Sequence, residues 1–200
     1  MKIAREEFSL QSLIEEVKTI FNGQLQQKDI TLTIDAARVH HWELLGDAMR
    51  IKQVLMNIFS NAVKFTPAGG RIEFLIKQVL RPNNLAITTF EITDNGAGMS
   101  PEYLKNIFKP FEQENAKIAH KHGGSGLGMA ITQNLVKMMQ GSIEVRSVLG
   151  KGSSFYVSIP QRGVETPVED GEASAGEEHS FEGVRLLLVE DNEMNREISE

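Results

Sequence analysis

The 200-residue sequence contains no cysteine, which excludes disulfide bonds, thiolate zinc sites and cysteine nucleophiles. It has no apolar run near the roughly 18 residues that span a bilayer, and its first residues lack the apolar stretch of a signal peptide. With 40% hydrophobic and 24% charged residues, the composition is that of an ordinary globular chain of one or two domains. These features predict a cytoplasmic location for this segment.

The sequence has no excess of positive charge: its net charge is -6, and this charge is unevenly distributed along the chain. Residues 1–160 carry 18 basic and 15 acidic side chains, whereas residues 161–200 carry 3 and 12. Nucleic acids and membrane surfaces are met by clustered basic side chains, so we expect neither as a partner. The change in composition predicts a domain over 1–160 and an acidic flexible linker over 161–182.

Several common catalytic and phosphate-binding motifs are absent. The sequence has no G-x-x-x-x-G-K-[ST] loop and no G-x-S-x-G elbow, and its five histidines do not fall at metal-ligand spacing. The run Gly124–Met129 fails the dinucleotide-binding pattern at its last position. Hydrolase, zinc and dinucleotide functions therefore have no support in these motifs.

Apolar periodicity predicts long helices that alternate with strands. The expected helices are 10–25, 49–66, a short one from 100 to about 107, and 127–139; the expected strands are 30–35, 41–45, 71–80, 85–93, 142–147 and 152–159. This order predicts an α+β domain of two layers with a largely antiparallel sheet. A buried-type strand over 184–189 predicts the start of a second domain, over 183–200.

A polar stripe runs along the helix predicted over 49–66. Gln53, Asn57, Asn61 and Lys64 follow at steps of four, four and three, which places them on one face. Such a stripe is compatible with a solvated helix face. Asparagine is unfavourable within a helix, however, and amide oxygens can ligate Mg²⁺ while a lysine one turn on binds phosphate.

Two glycine-rich segments can likewise be interpreted either as ordinary turns or as parts of a ligand-binding site. Asp94-Asn95-Gly96-Ala97-Gly98-Met99 follows a strand and fits a simple turn, but its glycines would also admit a flat ligand, with Asp94 accepting from an exocyclic amine. Gly123–Gly128 leads into a helix, whose N-terminal N–H groups favour phosphate. Between them, 108–125 shows no period and predicts a mobile loop, with Phe108 and Phe111 anchoring it to the core.

Four motifs in order resemble those of the ATP-binding domain of sensor histidine kinases. Asn57–Thr66 resembles the N box, Asp94–Met99 the first glycine box, Phe108–Phe111 the F box and Gly124–Ile131 the second glycine box. The resemblance covers about residues 1–160. It implies a Bergerat-type α/β sandwich in which ATP lies between the helices and a flexible lid.

The resemblance also implies roles for individual residues. Asn61 looks like the main Mg²⁺ ligand, with Asn57 beside it, while Lys64 faces phosphate; these three are the expected catalytic residues. Phe65 would lie by the base and Asp94 would accept from adenine, while the remaining expected ATP-binding positions are Gly96, Gly98 and Met99 at the base pocket, and Gly124, Ser125, Gly126, Leu127 and Gly128 at the lid hinge and phosphate loop.

Val189-Glu190-Asp191-Asn192 resembles the first strand of a response-regulator receiver domain, whose acidic pair binds Mg²⁺. Glu190 and Asp191 would form part of such a site. Kinase domain, acidic linker and receiver in this order resemble a hybrid histidine kinase, expected as a homodimer whose parent chain is either free or anchored in a membrane.

The resemblance implies transfer of the ATP γ-phosphoryl group to a histidine on an upstream phosphoacceptor domain. None of the five histidines has the expected His-[Glu/Asp]-x-[Arg/Lys] context, so we expect no autophosphorylation by this segment alone. A gyrase-type ATPase of the same fold is one alternative, although Asn57 stands where a carboxylate base would be needed. A nucleotide-binding or interaction module without catalysis is the other.

Overall fold

The structure is a computed structural model that describes residues 3–112 and 126–164. The predictions for the lid beyond Glu112, for Gly124 and Ser125, for most of the linker and for Glu190 and Asp191 lie outside the described residues. No helix in the described ranges combines the length and apolar character that a membrane crossing requires.

Helices and strands alternate along the chain much as the periodicity predicts. The strands are β1 (Glu6–Ser9), β2 (Thr31–Arg38), β3 (Glu43–Gly46), β4 (Arg71–Arg81), β5 (Leu85–Asp94), β6 (Ser142–Val148) and β7 (Gly152–Gly163). The helices are α1 (Leu10–Gln27), α2 (Ala48–Phe65), α3 (Pro101–Leu104) and α4 (Gly128–Met138).

Side-chain caps define where the two long helices begin. Ser9 accepts a hydrogen bond from the backbone N–H of Ser12 at the start of α1, and Asp47 accepts one from Arg50 at the start of α2. The second carboxylate oxygen of Asp47 accepts from the N–H of Ala4, 3.0 Å away. Asp47 therefore fixes the start of α2 and ties the beginning of the described chain to it.

The described strands form one mixed sheet, in the order β1-β3-β7-β5-β4-β2, with β6 pairing with β7. All pairs are antiparallel except β2 with β4, which is parallel. Residues alternate across β5, and its inner side chains pack beneath the helices around Phe59, Phe74 and Phe90. The prediction of a two-layer α+β domain is confirmed.

Three details of the prediction are wrong. A first strand, β1, precedes α1 and pairs with β3, although no strand was expected there. β7 continues to Gly163 because Arg162 and Gly163 pair with β3, so residues 161–163 belong to the sheet and not to the linker. Phe108 packs against the core as expected, but Phe111 is 74% exposed and does not anchor the loop.

Candidate functional site

The apolar and polar residues of α2 separate onto two faces. Its buried side chains are Ile51, Val54, Leu55, Ile58, Phe59, Ala62 and Val63, and they pack into the core. Asn57 lies half-buried on the other face, where its Nδ2 donates to the carbonyl of Gly128 at 3.3 Å and to Oγ1 of Thr132 at 3.1 Å. These bonds fasten α2 to α4 and leave the Oδ1 of Asn57 without a hydrogen bond among the described residues.

Asn61 and Lys64 continue this face toward the end of α2. Asn61 is half-buried, and its amide makes no hydrogen bond within the described part of the chain. The Nζ of Lys64 lies 4.9 Å from the ring centroid of Phe65, whose side chain is 41% exposed. The end of α2 thus presents amide oxygens, a cation and an open aromatic ring close together.

Asp94, at the end of β5, is the only buried carboxylate besides the helix cap Asp47 among the described residues. It is 7% exposed, and its Oδ1 accepts a hydrogen bond from the N–H of Gly96 at 2.8 Å. Burial raises the pKa of Asp94, because the loss of hydration outweighs the backbone hydrogen bonds from Gly96 and Ser153. A buried carboxylate with a perturbed pKa is a candidate for a binding site.

The glycine loop that follows Asp94 (residues 95–99) lies against the end of α2. The N–H of Ala97 donates to the carbonyl of Phe65 at 3.2 Å, and a Cβ on Gly96 would come within 2.6 Å of that same oxygen. Gly98 has a φ of +64°, and a Cβ there would collide with the carbonyl of Val148. Glycine is therefore required for the loop to join Asp94 to Phe65.

The turn between β6 and β7 holds the glycine loop from its other side, a role that the sequence reasoning missed. The N–H of Gly150 donates to the carbonyl of Ala97 at 2.7 Å, and the N–H of Met99 donates to the Oγ of Ser147 at 2.9 Å. Gly152 has a φ of +103°, and a Cβ on it would collide with the carbonyl of Asp94. The glycine pair at 150 and 152 predicts the turn from the sequence, but its contact with the glycine loop was not predicted.

The N-terminus of α4 lies beside Asn57. Leu127 supplies no side-chain cap to this helix, and the positive end of a helix dipole favours an anion. Gly126 has a φ of +68°, and a Cβ on it would come within 2.9 Å of the backbone of Phe111. Since Phe111 donates its N–H to Gly126 at 3.1 Å, the two ends of the segment 112–125 meet at this point.

The structure joins the described site residues that the sequence predicts. One group lies on α2 and the glycine loop: Asn57, Asn61, Lys64, Phe65, Asp94, Gly96, Gly98 and Met99. The other lies at the start of α4: Gly126, Leu127 and Gly128. His40 and His41 lie elsewhere, with their backbone N–H groups bound to Gln78. Within residues 3–112 and 126–164, no three His, Asp or Glu side chains are grouped to hold a metal ion. A metal ion bound at this site would be coordinated by amide oxygens and by oxygens of a bound nucleotide.

Comparisons with known proteins agree with this arrangement. The model of the family described as histidine kinase-, DNA gyrase B-, and HSP90-like ATPase matches residues 46–163. The chain is 36% identical over 195 residues to the autoinducer 2 sensor kinase/phosphatase LuxQ of Vibrio vulnificus, covering 96% of this chain and 23% of LuxQ. It is 34% identical over 152 residues to the signal transduction histidine-protein kinase BarA of Escherichia coli, covering 76% of this chain and 16% of BarA. The chain thus spans about a quarter or less of these relatives.

Solved structures show the same fold. Full-length ShkA in complex with AMPPNP is similar with a TM-score of 0.67 and 26% identity, over 82% of this chain and 32% of that one. The catalytic domain of the histidine kinase ThkA has a TM-score of 0.64 at 24% identity, over 80% of this chain and 96% of that one. Their likeness identifies the two-layer arrangement as the histidine kinase-type (Bergerat) fold. The chain belongs to the histidine kinase-, DNA gyrase B- and HSP90-like ATPase family.

Proposed function

We propose that this chain binds Mg·ATP and donates the γ-phosphoryl group to a histidine on a phosphoacceptor domain of the same longer protein. The observation that carries the proposal is the buried carboxylate of Asp94, joined through the glycine loop to the polar end of α2. The names of two relatives, the sensor kinase/phosphatase LuxQ and the histidine-protein kinase BarA, support it.

Asp94 is suited to recognise adenine. One of its oxygens accepts from Gly96, which leaves acceptor capacity for the exocyclic amine of the base. Gly96, Gly98 and Met99 would form the backbone wall of the base pocket, while the exposed ring of Phe65 would lie beside the base. A purine with a carbonyl in place of the amine would face the carboxylate with an acceptor and bind less well.

The amide oxygens of Asn61 and Asn57 fit the donor set that Mg²⁺ prefers. Both oxygens lack hydrogen bonds among the described residues, and they lie one helical turn apart on one face of α2. Asn61 would be the main ligand and Asn57 would lie beside it. Bound Mg²⁺ would neutralise charge on the phosphates of ATP.

The phosphates would lie between Lys64 and the start of α4. The ammonium group of Lys64 supplies a point charge, and the first turn of α4, which begins at Gly128, supplies the positive end of a helix dipole. Gly124, Ser125 and Gly126 would form the hinge and phosphate loop that join the lid to this helix. The meeting of Phe111 and Gly126 places the two ends of the proposed lid together.

Phosphotransfer is favoured over hydrolysis by the chemistry at Asn57. Its Nδ2 is already engaged with Gly128 and Thr132, and an amide cannot act as the general base that would activate water. The phosphoacceptor would be a histidine on an upstream domain of a homodimeric parent. We further propose an acidic linker up to residue 182 and a receiver start over 183–200, where Glu190 and Asp191 would belong to a second Mg²⁺ site.

Calorimetric titration with ATP, with and without Mg²⁺, tests the metal assignment. Asn61→Ala should lose most of the Mg²⁺-dependent gain in affinity, whereas Gln53→Ala, two turns earlier on the same helix face, should retain it. If Asn61→Ala keeps the full Mg²⁺ effect, Asn61 is not the ligand.

A phosphotransfer assay tests the reaction itself. With labelled Mg·ATP, the chain alone should remain unlabelled, and it should label the histidine of its parent's helical hairpin when that hairpin is supplied in trans. Release of phosphate without labelling of the hairpin would favour the gyrase-type alternative. Binding without either reaction would favour a nucleotide-binding module.

A further inference from the structure

Lys28 lies at the end of α1 and binds the end of α2. Its Nζ donates hydrogen bonds to the backbone carbonyls of Val63, Lys64 and Thr66, at 2.7, 3.2 and 2.5 Å. All three acceptors are terminal carbonyls of the helix that carries the polar face of the site. A lysine outside all four recognised motifs thus contacts the backbone directly beneath Lys64 and Phe65.

The main chain holds Lys28 in place. Lys28 caps the C-terminus of α1, and Asp29 follows it with a φ of +53°. The N–H of Ile30 donates back to the carbonyl of Leu25 at 2.9 Å, which closes the helix end. The carbonyl of Lys28 accepts from the N–H of Gly69 at 2.9 Å, on the turn that follows α2. Lys28 is therefore bound through both its backbone and its ammonium group to the segment that leaves α2.

The end of a helix needs such partners, because its last carbonyls have no N–H donor within the helix. The carbonyl of Phe65 is taken by the N–H of Ala97 in the glycine loop, and the carbonyls on either side of it are taken by Lys28. A cation also interacts favourably with the negative end of the helix dipole. The ammonium group and the glycine loop thus hold one short piece of backbone from two directions.

Other lysines on these helices have different partners. Lys18 pairs with Glu15 and Lys52 with Glu16, both between exposed side chains. Lys28 forms no ion pair among the described residues, and its charge is balanced by carbonyl dipoles alone. Its position is explained by the end of α2 and not by a surface charge network.

We propose that Lys28 is a positioning residue for the nucleotide site: it fixes the last turn of α2, and through it the side chains of Lys64 and Phe65 and the glycine loop. This inference rests on the proposed function. Without the ammonium group, the last turn of α2 would fray, and the contact from Phe65 to Ala97 would be formed for a smaller fraction of the time. Nucleotide binding would then have to restore that order.

The test compares Lys28→Met, which keeps the aliphatic stem and removes the charge, with Lys28→Arg and with Lys18→Met as a matched control on α1. The Kd for Mg·ATP is measured by calorimetry at a temperature where thermal unfolding shows every variant to be fully folded. Lys28→Met should weaken binding roughly tenfold, Lys28→Arg should recover part of the loss, and Lys18→Met should bind as the unmodified chain does. Amide exchange at Ala97 should accelerate in Lys28→Met, accelerate less in Lys28→Arg, and stay unchanged in Lys18→Met.

Each outcome decides between positioning and a purely structural role. A lower melting temperature for Lys28→Met with an unchanged Kd and unchanged exchange at Ala97 would overturn the proposal. If Lys28→Met does not fold, equal Kd values for Lys28→Arg and the unmodified chain, with unchanged exchange at Ala97, would overturn it as well. If the unmodified chain binds no ATP, the proposed function itself fails and the positioning role fails with it.

Discussion

Gln78 and Asp94 are two buried polar side chains at opposite ends of the β4–β5 hairpin, and they differ in how their hydrogen-bonding groups are used. Both point to the helix side of the sheet, and they are 6% and 7% exposed. The Oε1 of Gln78 accepts from the N–H groups of His40 and His41, while its Nε2 donates to the carbonyl of His41 and to Thr88. The amide of Gln78 therefore has partners for its oxygen and for both of its N–H groups.

Asp94 is only partly satisfied. It accepts from Gly96 and from the backbone of Ser153, and burial still raises its pKa because these bonds do not replace its hydration. A buried polar group whose capacity is used within the chain holds the fold together, as Gln78 holds the segment before β3. A buried carboxylate that can accept further hydrogen bonds lowers the stability of the fold, but it can accept a hydrogen bond from a donor group on a ligand.

The largest effect should come from filling the space behind Asp94. Gly152→Ala places a Cβ against the carbonyl of Asp94 at a φ of +103°, so we expect it to lower the free energy of unfolding by about 3 kcal/mol or more. Gly150→Ala is the matched control, because it also has a positive φ, +77°, but meets no atom within 4 Å. It should cost about 1 kcal/mol. Equal losses in urea unfolding would show that the glycine at 152 is not required by the contact with Asp94.

A smaller loss of stability should follow from Gln78→Met, which keeps the length of the side chain and removes its hydrogen bonds. The N–H groups of His40 and His41 lose their acceptor, and we expect the free energy of unfolding to fall by about 2 kcal/mol. The Kd for ATP should be unchanged, because Gln78 lies at the other end of the hairpin. A weaker Kd would mean that the two ends are coupled.

The smallest effect, and one of opposite sign, should be that of Asp94→Asn on stability. Because the pKa of Asp94 is raised in the folded state, the ionised carboxylate opposes folding at neutral pH, and this penalty disappears as the pH falls toward the unfolded pKa of 3.8. The variant should melt at or above the temperature of the unmodified chain at pH 7, and its advantage should shrink toward pH 4. A melting temperature clearly below that of the unmodified chain at pH 7 would contradict the conclusion that the hydrogen bonds to Asp94 do not offset the cost of burying its charge.

The regular parts of the fold could be predicted from the sequence because they depend on local pattern. The apolar spacing in α2 and the alternation in β5 both report which side faces the core, and the structure places them there. β1 could not be found in this way, because its four residues carry little pattern and depend on pairing with β3. The end of β7 was placed too early for the same reason, since Arg162 and Gly163 are held by β3.

The residues of the site also differ in whether the sequence alone could reveal them. Asn57 and Asn61 stand out because asparagine is unfavourable within a helix. Lys64 and Asp94 were found because they continue a polar stripe or belong to a recognised motif, and the structure joins all four through α2 and the glycine loop. Lys28 could not be found, because an ordinary helix-end lysine acquires its role from carbonyls 35 to 38 residues further along the chain. The support that Gly152 gives Asp94 depends likewise on a contact between distant strands.

The most direct test is a calorimetric titration of ATP into the unmodified chain, Asp94→Asn and Gln78→Met under the same conditions with Mg²⁺. We expect the unmodified chain to bind ATP and Asp94→Asn to lose about 1.5–3 kcal/mol of binding free energy, which is roughly tenfold or more in Kd. Gln78→Met should bind as tightly as the unmodified chain. Equal affinities for the unmodified chain and Asp94→Asn would contradict the claim that Asp94 recognises the base.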